Sequence, residues 1–196
     1  MEGLLVLLLV VAVAIGVVLY RRSTGGGTPA RSPREPQDPL RSERGRSDPR
    51  RITVGDVIMF EGRDFIVRGT LAFDEDGFVW HEHLLDDVAI RRWLSVEEDD
   101  DGFEAVLWES LGSADVTPGE RTVTVEGRTY TLDEHGRARF TAKGTTGTAP
   151  SGQVEYYDYQ AGDERLSFER YGEGSWEAGR GRVVDEALLD VYPGSD

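Results

Sequence analysis

The stretch GRDFIVRGTLAFDEDGFVWHEHLLDD, residues 62–87, decides the fold class. Two runs rich in Phe, Ile, Val, Leu and Trp flank the dipeptide Asp76-Gly77. Asp-Gly supplies the two positive-φ residues of a tight hairpin, and β-branched and aromatic residues suit a pleated surface. The stretch therefore predicts two antiparallel strands joined by a two-residue turn.

The same grammar continues outward in both directions. Glu61-Gly62, Asp101-Gly102, Glu126-Gly127, His135-Gly136 and Gly172 to Gly174 punctuate similar runs. Strands are expected near 56–61, 64–73, 77–85, 90–97, 103–109, 121–126, 128–133, 137–143, 153–159, 164–171, 175–178 and 188–192. Helical periodicity is confined to the N-terminus, apart from the short DEALLD at 185–190. Many short strands at regular spacing give an all-β fold, an antiparallel barrel or sandwich.

The strand-rich part reads as if written twice. FEGRDFIV (60–67) answers VEGRTYTL (125–132), and VWHEH (79–83) answers EYYDY (155–159). RWLSVE (92–97) answers ERLSFE (164–169), and GFEA (102–105) answers SWEA (175–178). The order is kept, which predicts two similar halves over about 55–110 and 120–180.

Upstream the character changes. Residues 3–20 carry no charge and would span roughly 27 Å as a helix, close to the thickness of a hydrocarbon core. A cleaved signal peptide is the rival reading, with Ala12-Val13-Ala14 as its cleavage site. It wants a basic start, and here the chain begins Met1-Glu2. Residues 1–22 are accordingly expected to be a single transmembrane helix. Arg21-Arg22 place the N-terminus outside and the C-terminal part in the cytoplasm, on the inner side of a plasma membrane. Residues 23–51, rich in Arg, Pro, Gly and Ser, read as a disordered linker with a reach of about 30 Å.

Charge divides the chain further. Residues 21–51 hold nine arginines against four acids, a net +5. With that segment and Glu2 set aside, a chain of net charge −15 leaves −19 on residues 52–196. So acidic a domain repels nucleic acid and attracts cationic partners. The absence of cysteine agrees with a reducing compartment and excludes thiol chemistry.

Candidate site residues come from strand faces. With a period of two, His81 and His83 share one face, and Trp80 and Glu82 share the other. Two histidines at i and i+2 can both reach one zinc, so His81 and His83 are candidate metal ligands. The corresponding residues of the second half are Tyr157 and Tyr159, which pack equally well and ligate zinc poorly. No metal and no cofactor is therefore expected, and a metal-dependent hydrolase ranks last.

What recurs is a carboxylate beside a ring: Trp80 with Glu82, and Tyr156 with Asp158. Ser95 with Glu97 and Ser167 with Glu169 repeat in the same way. Acid and aromatic face together can hold an ammonium group, and two such sets suit a polyamine. The competing expectation is salt bridging to Arg63, Arg68, Arg91, Arg92, Arg165 and Arg170. EEDDDG (97–102) reads as a solvated loop. No nucleophile elbow, Walker motif or dinucleotide fingerprint is present, so no catalytic residue is assigned.

Several of these segments carry a resemblance: GDVIMFEGRDFIVRGTLAF, GFVWHEHLLDD, RRWLSVE, VEYYDYQ and RLSFERYG. The Gly-Asp-Val opening, the Trp80/Glu82 pair, Trp93 to Ser95 and the Tyr-x-Asp-Tyr and Leu-Ser-x-Glu motifs resemble the bacterial domain of unknown function 4178 over residues 53–192. The resemblance brings no catalytic residues. It implies an actinobacterial type of setting, beside small membrane proteins and spermidine-synthase-like proteins in envelope-associated systems.

Taken together, the first expectation is a membrane-tethered, non-enzymatic adaptor or sensor that contacts the lipid bilayer through its helix and a membrane-associated protein through its β domain. The second is a binding module for a cationic metabolite at Trp80, Glu82, Tyr156 and Asp158.

Overall fold

A computed structural model describes residues 46–99, 102–112 and 116–194. The transmembrane segment and most of the linker expected from the sequence lie outside these residues. Among the described residues no helix is long and apolar enough to cross a membrane.

Eleven antiparallel strands follow in order: β1 Val57–Phe60, β2 Arg63–Glu75, β3 Phe78–Asp86, β4 Arg91–Asp99, β5 Gly102–Gly112, β6 Thr122–Val125, β7 Arg128–Gly144, β8 Ser151–Ala161, β9 Glu164–Tyr171, β10 Glu177–Val183 and β11 Asp190–Tyr192. The spatial order is β11-β1-β2-β3-β4-β5-β10-β9-β8-β7-β6, and β2 also pairs with β7. That extra pairing runs from Gly69 opposite Gly144 to Asp74 opposite Arg139. It closes β2, β3, β4, β5, β10, β9, β8 and β7 into a barrel. The fold is thus all-β and a barrel, the first of the two architectures expected.

Hairpin chemistry fixes the strand ends. Glu61-Gly62, Asp76-Gly77 and Glu126-Gly127 all take positive φ at both positions, the geometry a two-residue hairpin demands. His135-Gly136 is different. The expected turn there is absent, and β7 runs unbroken through it. Gly136 is needed for space instead, because a Cβ there would stand 2.4 Å from Glu75 Oε1 and 2.9 Å from the Tyr156 hydroxyl.

Two bulges change which face of a strand looks inward. β2 slips between Val67 and Gly69, and β7 between Leu132 and Glu134. Before its bulge β2 sends Phe65 and Val67 to the outside of the barrel wall. After it, Leu71 and Phe73 face the lumen beside Glu82 and Trp80. The extra residue shifts the two-residue period by one, which is how a bulge re-aims side chains. β2 and β7 therefore each leave the wall as a hairpin, with β1 and β6 respectively.

The apolar core consequently sits in three places. One cluster lies outside β2–β5, where Ile58, Phe60, Leu189 and Val191 cover Val67, Leu85, Leu94 and Leu107. A second lies around Val123, Tyr130, Tyr159, Leu166 and Phe168, between the β6–β7 hairpin and the wall of β8–β10. A third, built from Leu71, Phe73, Ala138, Phe140 and Val154, packs the lumen at the β2–β7 seam. Each fully buried Val, Leu, Ile or Phe side chain among them contributes about 1.5–3 kcal/mol.

Residues 46–51, assigned to the linker from composition, are part of this folded unit. Ser47 bridges Val191, Asp48 caps a 3-10 turn at Pro49–Arg51, and Arg50 reaches Glu98 at 2.9 Å and Glu186 at 2.5 Å. DEALLD supplies only a second 3-10 turn, Glu186–Leu188.

Candidate functional site: an acidic, aromatic lumen

The remaining lumen-facing positions are polar and aromatic. Successive lumen residues on β3 are Trp80 and Glu82, on β4 Trp93, Ser95 and Glu97, and on β5 Glu104, Val106 and Trp108. Across the barrel stand Tyr156 and Asp158 on β8, with Arg165, Ser167, Glu169 and Tyr171 on β9. The cross-strand pairs match between the two runs of strands. Glu82 opposes Ser95 as Asp158 opposes Ser167, and Glu97 opposes Glu104 as Glu169 opposes Glu177.

Trp80, Glu82, Tyr156 and Asp158, named from the sequence, all line one cavity of about 110 Å³. The Trp80 and Tyr156 rings meet edge to face at 5.7 Å, and Phe73 stacks on Trp80 at 4.9 Å. The Tyr156 hydroxyl donates to Glu75 Oε2 at 2.5 Å, which holds the phenol ring in place. A second cavity of about 270 Å³ is lined by Trp93, Trp108 and Tyr171 together with Glu109 and Glu177. Both cavities touch Glu82, Trp108, Ser167 and Glu169, so these four form a waist between two chambers.

The waist is held by carboxyl chemistry. Glu82 and Glu169 hydrogen-bond to each other, and the Tyr171 hydroxyl donates to Glu169 Oε2 at 2.8 Å. Two carboxyls in contact cannot both ionise cheaply, so they share a proton. Burial, then the charges of Glu169 and Asp158, hold the Glu82 carboxyl well above the ordinary range. Burial also raises Glu169, against the Tyr171 and Glu82 hydrogen bonds.

Asp158 is pushed up to about 7 by burial, opposed by the Ser167 hydroxyl and reinforced by the charges of Glu169, Glu134 and Glu97. Its Oδ1 is buried without a hydrogen-bond partner. Glu97 also rises to about 7, through burial and then the Glu104 charge. As residues, Glu82, Glu97, Asp158 and Glu169 are half-buried, and all four border the chamber of about 110 Å³.

Among the described residues no arginine forms an ion pair with Glu82, Asp158 or Glu169, and Arg165 offsets the rise of Glu97 only in part. Arg165 is the one lysine or arginine among the described residues lining either chamber, and its guanidinium is taken by Glu104 at 3.0 Å and the Gly162 carbonyl at 2.8 Å. The other arginines expected to bridge the recurrent acids pair with different acids, only one of which, Glu109, lines a chamber. Arg63 goes to Asp87, Arg68 and Arg91 to Asp86, Arg92 to Glu109 and Arg170 to Glu155. Glu97–Asp99, read as the start of a loop, belong to β4, and Glu97 points inward.

The histidines face away from the lumen. His83 is buried under the outer cluster, with Nδ1 3.0 Å from Thr70 Oγ1. Burial and the neighbouring His81 press its pKa down to about 3, so it is a neutral packing residue. His81 stacks against it with centroids 6.2 Å apart, and burial lowers its pKa too. Among the described residues no three His, Asp or Glu side chains are grouped closely enough to hold a metal ion.

Glu104, Trp108 and Tyr171 were not among the candidate site residues: Tyr171 continues the two-residue period of Ser167 and Glu169 on β9, whereas Glu104 and Trp108 lie on β5, where no site residue had been marked. Glu75 carried no such signal, because only the bulge in β2 turns it toward Tyr156.

Fold and site together define a class: a closed antiparallel barrel with two outer hairpins and an acid-rich, tryptophan-lined lumen. Within it, the chain belongs to the family described as Domain of unknown function (DUF4178), whose model matches residues 53–186. Proteins of Mycobacterium bovis and of two strains of Mycobacterium tuberculosis, each described as uncharacterized, are 36% identical over 196 residues, covering 96% of this chain and 93% of theirs. No solved structure matches.

Proposed function

We propose that the barrel is a binding module for a small organic ammonium ion, taken up in the lumen. The observation that carries this reading is the unpartnered Oδ1 of Asp158, buried beside the ring pair Trp80–Tyr156 in a chamber where Arg165, the one lining cation among the described residues, is already engaged. An ammonium group entering there would give that oxygen a donor, offset the charge that keeps the carboxyls protonated, and meet aromatic rings worth about 0.5–2 kcal/mol.

This places ligand binding ahead of the adaptor reading. The exposed large apolar side chains stand singly or in pairs, Met59 with Ile66 on the paired strands β1 and β2, Phe78 with Val79 on β3, and Val88 and Leu188 apart, whereas the polar residues converge inside. A sensor combines both readings: occupancy inside the barrel, reported to a protein partner outside. The uncharged run at 3–20 would hold such a sensor at the membrane with the barrel in the cytoplasm.

Calorimetry of the chain with spermidine in moderate salt tests the reading. Saturable heat that disappears in the Glu82→Gln, Asp158→Asn double variant supports it. Heat that salt abolishes, or that the double variant retains, places the amine on the outer surface and refutes it.

A further inference from the structure

We infer that the second chamber is a second ammonium subsite, and that the ligand is a linear dication whose chain crosses the waist at Glu82 and Glu169. This rests on the cation-binding reading of the lumen and adds the number and spacing of the charges.

The two chambers are alike in kind. The first presents Asp158 and Glu97 beside Trp80 and Tyr156, and the second presents Glu177 and Glu169 beside Trp93, Trp108 and Tyr171. Glu177 stands directly opposite Glu169 across β9 and β10, as Asp158 stands opposite Ser167 across β8 and β9. Ser167 and Glu169 are successive inward residues of β9, so the two levels lie about 7 Å apart. That separation fits two ammonium groups joined by roughly four to six methylenes.

Trp108 supplies the floor between them. Its ring lines both chambers, and its Nε1 donates to Ser95 Oγ at 2.9 Å, which fixes the indole. The facing strand makes room for it with glycine: a Cβ on Gly181 would lie 2.6 Å from the Trp108 ring and 2.5 Å from Val106 Cγ1. An indole held this way offers a flat apolar surface to a methylene stem. A monocation would use one chamber and leave the other carboxylates unmet. A dication meets both, and its second contact is made at high effective concentration.

The test is calorimetry on the full chain with butylamine, putrescine and cadaverine, using wild type, Glu177→Gln and Asp158→Asn. Glu177 is exposed at the chamber mouth, so its variant is expected to fold. The diamines should bind wild type at least about tenfold tighter than butylamine. Glu177→Gln should remove most of that advantage by weakening the diamines far more than butylamine, while Asp158→Asn should weaken all three. If butylamine binds in an Asp158-dependent way but diamines gain nothing, or Glu177→Gln leaves putrescine unaffected, the dication inference falls and the cation site stands. If no amine binds, both fall.

Discussion

Replacing Asp158 with asparagine should stabilise the protein, and more so as pH rises. A carboxyl whose pKa goes up on folding reverses the usual acidic case. Between its ordinary value of 3.8 and about 7, the folded protein holds the Asp158 proton and the unfolded chain does not. Stability is therefore lost as pH rises through that window, and the loss is complete above it. At ~1.4 kcal/mol per pH unit, the penalty is on the order of 4 kcal/mol near pH 8 and 1.5–2 kcal/mol near pH 5. Asparagine cannot ionise, and its side-chain oxygen keeps an acceptor for the Ser167 hydroxyl. The difference between variant and wild type should thus grow by roughly 2–3 kcal/mol from about pH 5 to about pH 8. Urea unfolding followed by tryptophan fluorescence at a series of pH values measures it, and contributions from His83 and the surface acids cancel in the difference. A difference independent of pH, or one that shrinks as pH rises, would refute the electrostatic account of the lumen.

Other outcomes follow from the same geometry. Glu82→Gln should leave stability within about 1 kcal/mol of wild type, because the amide can still donate a hydrogen bond to Glu169; Glu82→Leu should cost more, by stranding Glu169. Gly181→Ala should destabilise by about 1–3 kcal/mol and alter the fluorescence of Trp108, whose ring occupies the space a Cβ would need. His83 should show no imidazole titration by NMR above about pH 4, and because its folded pKa is depressed to about 3, its contribution to stability should weaken as pH falls below ~6.5. Leu94→Ala, beneath the outer hairpin of β1 and β2, should cost about 2–5 kcal/mol in the same urea assay.

The strands and their turns were legible because the signals are local. Glu61-Gly62, Asp76-Gly77 and Glu126-Gly127 mark hairpins by residue type alone, and the two-residue period put Trp80 with Glu82 and Tyr156 with Asp158 on common faces. Closure was not legible, since it depends on Gly69–Asp74 finding Arg139–Gly144 far along the chain. The bulges in β2 and β7 were equally hidden. Without them, alternation in β2 would carry Phe65, Val67, Leu71 and Phe73 to one face, whereas the structure splits them between the outer cluster and the lumen. For the same reason a recurrent acid looked like solvated surface or a partner for a nearby arginine. Only the closed barrel shows that Glu82, Asp158 and Glu169 face one another while the arginines serve other acids. Gly136 illustrates the limit well: a glycine after histidine reads as a turn, and the contact that demands it comes from Glu75 and Tyr156 on two other strands.

The most direct measurement is a crystal structure of the chain grown with and without spermidine. The account predicts difference density inside the barrel, with an amine nitrogen within hydrogen-bonding distance of Asp158 Oδ1 and the methylene stem against Trp108. Density confined to the outer acidic surface, with the lumen unchanged, would contradict it.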